Sequence, residues 1–212
     1  MPEIVLKHFQ DKRGFANYYF NTLNQQRLWD AWNARGKLSG MGGVWTLSGP
    51  LETGGAFRFQ VSDAGASLKL PSKDIPWTAG DDLGSSLLPA DSGGLLPALY
   101  LWRRLVTVGF GRFGDVYYYG TAPLVGHEGL ADVLVATHHK VECWFYFDAA
   151  GGDLLAIEMF ANEEADPCEI YFSDYREIDG RRLPGRMEVR YGNDPFATFK
   201  IDGFTFGKEG GS

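Results

Sequence analysis

The sequence predicts an α+β fold built mainly on an antiparallel meander, and three observations carry that prediction. From Leu130 to Phe206, strand-like runs follow one another through turns of a few residues. The chain holds 28 Gly with 15 Phe, 10 Tyr and 6 Trp, a mixture that favours many short strands and tight turns. Only two segments space their apolar residues as helices do.

The first helix is expected over Asn17–Arg35. Phe20, Leu23, Leu28, Ala31 and Trp32 share one broad side, Trp29 and Tyr18 widen it, Asn17 is placed to cap the start, and Gly36 stops it. Three strands follow the glycine-rich Ser39–Gly43: Val44–Leu51, Ala56–Ser62 and Ala66–Leu70. In the second, Phe57, Phe59 and Val61 alternate with Arg58 and Gln60, as a half-exposed antiparallel strand requires. Pro71–Ser92 reads as irregular, and its length marks a functional or mobile loop made sticky by Trp77, Leu83, Leu87 and Leu88. The second helix is expected over Gly94–Val106, with Leu95, Leu99, Trp102 and Val106 on one face, Pro97 in the first turn and Asp91 or Ser92 as cap.

Strands are then expected at Val116–Thr121, Ala131–His138, Val141–Phe147 and Leu154–Ala161. Cys168–Ile178 pairs with Arg181–Tyr191 through Asp179-Gly180, a strong two-residue hairpin signal. Pairing outward from Ile178 opposite Arg181 sets Phe172 against Met187 and Ile170 against Val189, so apolar meets apolar. Phe196–Phe206 returns last.

The meander has one unusual property. Successive strand residues point to opposite faces, and Val141, Cys143, Phe145 and Phe147 fall on one side with Trp144 and Tyr146 on the other. A sheet greasy on both faces is either covered twice or curled around something apolar. This points to binding or scaffolding rather than to chemistry.

Length and charge narrow the classes further. A chain of 212 residues suffices for one domain, with residues 1–16 and 207–212 expected as linker. A net charge of −7 argues against nucleic-acid binding. No apolar run reaches the roughly 18–20 residues that cross a bilayer. Met1–Gln10 does not read as a signal peptide, so the chain is cytoplasmic or a piece of an exported protein whose leader lies outside it. Cys143 and Cys168 sit on strands separated by a third, two spacings of about 4.7–4.9 Å. That is too far for an unstrained disulfide, and two free packed thiols are expected.

Trp144-Phe145-Tyr146-Phe147-Asp148, then Gly152-Asp153-Leu154-Leu155, then Tyr175-Arg176-Glu177-Ile178-Asp179-Gly180-Arg181-Arg182-Leu183-Pro184 resembles the LolA and LolB-like outer-membrane lipoprotein carriers. The similarity covers roughly residues 131–206. It implies a strongly curved antiparallel sheet, an incomplete barrel, with helices covering the concave face. It also implies an extracytoplasmic address and a hydrophobic hollow for acyl chains or an acylated protein, with contact to membrane-derived lipids. Trp144, Tyr146, Leu155, Ile157 and Met159, read as sharing one face, join Phe172, Met187 and Trp32 as candidate ligand-binding residues. The bland alternative is core beneath a helix, and an accessory docking module without a ligand of its own.

Catalytic and cofactor chemistry finds little support. Gly109-Phe110-Gly111-Arg112-Phe113-Gly114 matches dinucleotide spacing, but here an apparent helix precedes and a strand follows, the reverse of the required order. Asp91-Ser92-Gly93-Gly94 lacks a preceding histidine base other than His8. His138 and His139 are adjacent, project to opposite faces at a strand end and cannot share a metal, and His127 with Glu128 is only a fragment of a site. Glu158 points away from Ile157 and Met159, and Asp148–Asp153 reads as a turn rather than a calcium loop. No catalytic residue, metal or cofactor is expected.

Overall fold

The computed structural model describes residues 3–8, 18–51, 54–162 and 166–207. Helix α1 (Glu3–His8) lies within the stretch read as linker, and α2 spans Tyr18–Gly36; the expected cap Asn17 falls outside the described residues. Strands β1 (Trp45–Pro50), β2 (Ala56–Ser62), β3 (Gly65–Leu70) and β4 (Lys73–Thr78) follow. A 3-10 turn at Leu83–Ser86 leads to α3 (Leu95–Val108) and the short α4 (Phe110–Phe113). The meander comprises β5 (Asp115–Pro123), β6 (Leu130–His138), β7 (Val141–Asp148), β8 (Leu154–Phe160), β9 (Cys168–Ser173), β10 (Arg176–Ile178), β11 (Arg181–Leu183), β12 (Arg186–Tyr191), β13 (Asp194–Lys200) and β14 (Gly203–Phe206).

Among the described residues the strands form a five-stranded antiparallel sheet, β14-β1-β2-β3-β4, a seven-stranded one, β13-β12-β9-β8-β7-β6-β5, and the β10–β11 hairpin. One broken strand serves both sheets. The Ile201 amide donates to the Gly185 carbonyl beside β12, and the next amide, Asp202, donates to the Ser48 carbonyl on β1, 2.8 and 2.9 Å respectively. A Cβ on Gly49 would lie 1.9 Å from the Lys200 carbonyl oxygen, so only glycine lets the two sheets meet this closely.

Helix α3 shows how strongly the joined sheet bends. It packs on β2 and β3 from one side and on β8 and β9 from the other. Along the joined strands, β3 and β8 are six spacings apart, roughly 29 Å if flat, yet a helix is only about 10–12 Å across. The sheet therefore wraps around α3, with β4 and β5 as open edges. The expected α+β fold with open antiparallel sheets is present.

Both edges are protected against pairing with other chains. On β5, Asn21 of α2 imitates a neighbouring strand: its Nδ2 donates to the Tyr118 carbonyl at 2.8 Å and its Oδ1 accepts from the Tyr118 amide at 2.9 Å. The other edge carries Pro76 and Lys73. Here the expectation is corrected, because β4 lies inside the stretch read as an irregular loop. Proline is tolerated on an edge, and Ile75 and Trp77 alternate inward around Pro76. Trp77 also donates its indole N–H to the Ser86 carbonyl at 2.8 Å, packing the following turn with Leu83 and Leu87 buried.

Other expectations meet smaller corrections. Gly94, not Asp91 or Ser92, occupies the cap of α3, and no side chain bonds there. Phe20 is exposed at the start of α2, so the buried stripe narrows to Leu28 and Trp32. The Ile178–Arg181, Phe172–Met187 and Ile170–Val189 pairings form as read, although the hairpin divides into β9–β12 and β10–β11. Asp179 and Gly180 both have positive φ, 51° and 73°, the geometry of a type I′ turn. Cys143 and Cys168 are free and buried, each level with Met159 on the strand between them.

Candidate functional site

The inner face of the wrapped sheet is built as the alternation predicts. Val141, Cys143, Phe145 and Phe147 of β7 face inward with Ile157 and Met159 of β8, Phe172 of β9 and Met187 of β12, all buried. Helix α3 fills the middle of this hollow. Trp102 lies 4.7 Å from Phe172 and 5.1 Å from Trp45, centroid to centroid. A Cβ on Gly94 would come within 2.6 Å of Met159 and Cys168, so the helix start sits directly on β8 and β9. Trp32 of α2 closes the far end edge-on to Phe147 at 5.3 Å.

The candidate residues therefore divide. Ile157, Met159, Phe172, Met187 and Trp32 belong to the interior, whereas Trp144, Tyr146 and Leu155 lie on the opposite face of the seven-stranded sheet. The expectation that five of these share one face is corrected by register. Trp144 stands opposite Glu158, and Tyr146 opposite Ala156, so both indole and phenol point outward. A bulge skips Leu155 between the Phe147–Leu154 and Tyr146–Ala156 pairs, and an extra residue of this kind re-aims its side chain.

Space for a guest lies at one mouth of the hollow. A cavity of about 710 Å³ is lined by Trp29 and Asn33 of α2, Leu38, Met41 and the glycines of the following loop, Val106–Gly109 at the end of α3, Arg112 and Phe206. This volume is within the range, about 300–1,000 Å³, of small-molecule sites. Trp29, Leu38, Met41, Val106 and Phe206 supply its apolar surface, and Asn33, Ser39, Thr107, Arg112 and the glycine backbone supply a polar surface of about the same extent.

Arg103 holds the floor of that cavity in place, and no sequence expectation included it. Its side chain is only 3% exposed. Nε donates to the Gly43 carbonyl at 3.1 Å, Nη2 to the Gly42 carbonyl, and Nη1 to Asp63 in the β2–β3 turn at 2.6 Å. The guanidinium thus satisfies two carbonyls of the glycine-rich loop at once. The signal was in the sequence: Leu99, Trp102, Arg103 and Val106 fall at i, i+3, i+4 and i+7, which puts a charge on the apolar stripe of α3.

A second clasp secures the other side of the mouth. Asp153, at the end of the β7–β8 turn, accepts Arg182 Nε at 2.9 and 3.0 Å, with Arg35 of α2 3.7 Å away. Arg181 donates to the Lys37 carbonyl and lies over the Phe206 ring at 5.5 Å. The β10–β11 hairpin is thereby pinned to α2 and to the loop that borders the cavity. Asp148–Asp153 is a hairpin turn, closed by the Asp148 amide to the Asp153 carbonyl and by the Asp148 carboxylate to the Ala150 amide.

The residues considered for catalysis do not converge. His138 is buried and stacks at 4.1 Å on His139, which is exposed, so the two rings lie together and not on opposite faces as expected. The two-residue turn explains it: His139 and Lys140 both adopt positive φ, and the chain reverses tightly enough to bring the rings together. Burial, then the nearby Arg104, holds His138 down at about 4, so it is neutral at pH 7. Glu158 is raised by its burial, and the Tyr146 hydroxyl donates to it at 2.8 Å. Among the described residues no three His, Cys, Asp or Glu side chains gather as a metal site, and no helix is long and apolar enough to cross a membrane.

No protein-family model and no curated protein matches the chain. Among solved structures it is similar to a LolA superfamily protein from Nitrosomonas europaea, with a TM-score of 0.49 and 9% identity, covering 87% of this chain and 94% of that one. It is similar to a DUF1329 family protein from Desulfovibrio piger, with a TM-score of 0.48, 10% identity and coverage of 85% and 92%. A domain assigned to outer membrane lipoprotein sorting, from Vibrio parahaemolyticus, gives 0.43, 11%, 86% and 93%. At such identities and scores these likenesses assign neither family nor activity to this chain.

Proposed function

We propose that the protein is a non-enzymatic, extracytoplasmic binding module that takes an acyl chain, free or attached to a protein, into the cavity at the mouth of its hollow. The observation that carries this reading is the 710 Å³ cavity walled by Trp29, Leu38, Met41, Val106 and Phe206. It opens where the wrapped sheet and its two helices part. Its apolar side chains would hold the acyl chain, and the polar groups that share the lining would face the ligand's head group. Ile157, Met159, Phe172, Met187 and Trp32 would serve as the deeper lining reached if α3 shifts outward.

Fluorescence of N-phenyl-1-naphthylamine, displaced by palmitate, tests the reading on the whole chain. Saturable uptake that Phe206→Glu weakens, at an unchanged melting temperature, supports it. Absence of saturable uptake and of lipid in native mass spectra overturns it. A second reading then takes over, favoured by the complete burial of the inner-face side chains against α3: an accessory docking module with a filled interior.

A further inference from the structure

Three arginines of this protein share one arrangement, each over a tyrosine ring beside a carboxylate. Arg27 lies over Tyr118 at 5.8 Å and grips Asp132. Arg182 lies over Tyr175 at 5.4 Å and grips Asp153. Arg190 lies over Tyr171 at 5.6 Å and grips Glu188. Guanidinium planes favour this combination because the aromatic face and the carboxylate both attract the cation.

Towards β5 and β7, the outer face of the seven-stranded sheet repeats the aromatic and carboxylate parts of this arrangement without an arginine. Register places Tyr117, Val135, Trp144, Glu158 and Glu169 in one row across β5 to β9, and the row ends on Arg190 of β12, opposite Glu169. Asp115, Thr137 and Glu142 form the next. Trp144 lies tilted against Tyr119, 5.0 Å between centroids, and donates its indole N–H to Glu142 at 2.7 Å. Tyr146 and Tyr171 each donate a hydroxyl to a neighbouring carboxylate, Glu158 and Glu169, at 2.8 Å. Glu158 and Glu169 stand directly opposite each other, a like-charge pairing that costs stability unless a cation offsets it. Arg190 stands beside Glu169 on the far side, which leaves Glu158 as the carboxylate without a neighbouring cation. Among the described residues Asp115, Glu142, Glu158 and Glu169 have no ion-pair partner. Tyr117 and Tyr119 are 46% and 56% exposed, whereas Leu124 packs into a cluster with Val133, Val135, Tyr146 and Ala156 that Trp144, Leu155 and Tyr171 flank.

We infer that this outer face docks an arginine-bearing segment of a partner protein, whose guanidinium groups lie on Trp144 and Tyr119 and pair with Glu142 and Glu158. The site is on the opposite side of the sheet from the acyl-chain cavity and does not depend on it.

A capped peptide of alternating arginine and glycine, titrated calorimetrically into the full chain, tests the inference. The expected result is binding that Glu142→Gln/Glu158→Gln weakens roughly tenfold. Glutamine still accepts from Trp144 and Tyr146, so the fold is kept, and melting temperature checks this. Glu177→Gln/Asp179→Asn on the β10–β11 hairpin removes the same charge elsewhere and is expected to change affinity less than about twofold. Replacing arginine by lysine is expected to weaken binding, and replacing it by glutamate to abolish it. Equal losses in the two double variants would reduce the effect to net charge and overturn the site. Self-association of the chain that disappears in Glu142→Gln/Glu158→Gln, without peptide binding, would give the face to a second copy and likewise overturn it.

Discussion

Arg27 of α2 and Asp132 of β6 meet as a two-pronged pair, each guanidinium nitrogen 2.9 Å from a different carboxylate oxygen. Asp132 is almost fully buried, and the Tyr118 hydroxyl adds a third bond at 2.6 Å. This is the strongest polar tie between α2 and the meander. Arg27→Ala should cost about 3 kcal/mol, because it leaves a buried carboxylate unpaired. Burial, then Asp132, pushes Tyr118 up to about 12. Asp132→Asn should therefore lower the Tyr118 midpoint in an ultraviolet titration while urea unfolding reports the lost stability.

The buried His138 makes stability depend on pH. Its folded value, about 4, lies below the ordinary 6.5, so the fold prefers the neutral ring. Its contribution is complete above pH 6.5 and is lost as pH falls towards 4. The shift sets a ceiling of about 3 kcal/mol. Urea midpoints measured at pH 7, 5 and 4 should fall, and His138→Gln should flatten that part of the profile.

The seam between the two sheets predicts a severe glycine effect. Gly49→Ala places a methyl against the Lys200 carbonyl oxygen, where neither backbone can yield without breaking pairs in β1 or β13. The expected cost is at least about 3 kcal/mol. Gly54→Ala is no fair control, because φ there is positive; Gly111→Ala, with open space around it, should be almost silent in the same melts.

Loss of Arg103 should loosen the loop beneath the cavity. Arg103→Met keeps the length of the side chain but leaves the Gly42 and Gly43 carbonyls without their donor, at roughly 1–3 kcal/mol each. Hydrogen exchange should rise in residues 39–43 and in the β2–β3 turn, with β7 and β8 unchanged. Uniform exchange across the protein would contradict this role.

The thiols should be silent in the native state. Burial pushes Cys168 up to about 12 and Cys143 higher still. At pH 8 only about one Cys168 in ten thousand is thiolate. Reaction with a disulfide reagent should therefore proceed at the rate of unfolding and accelerate sharply in urea.

Local rules made much of the fold legible. Asp179-Gly180 fixed a type I′ turn, and arithmetic outward from it placed Met187 against Phe172 correctly. Two-sided apolarity in β7 announced two buried clusters. What escaped needed information that pattern does not hold. Pro76 reads as a breaker unless its strand is known to be an edge. Leu155 shares parity with Ile157, yet one skipped residue at a bulge turned it to the other face. Arg103 was overlooked because a charge on a helix is ordinarily assigned to solvent. The meeting of β1 with β14 joins segments about 160 residues apart, a distance no local pattern spans.

That last pairing has a bearing on biosynthesis. Trp45 lines up with Phe206 and Ser48 with Gly203, so β1 waits for a partner made about 160 residues after it. Until then β1 offers an unclaimed hydrogen-bonding rim beside a nascent, aromatic-rich chain. Long-range closure of this kind is slow and leaves the intermediate prone to sticking. Yield in the cell should accordingly respond to chaperone supply and to translation speed between β1 and β14 more than to changes in α1 and α2.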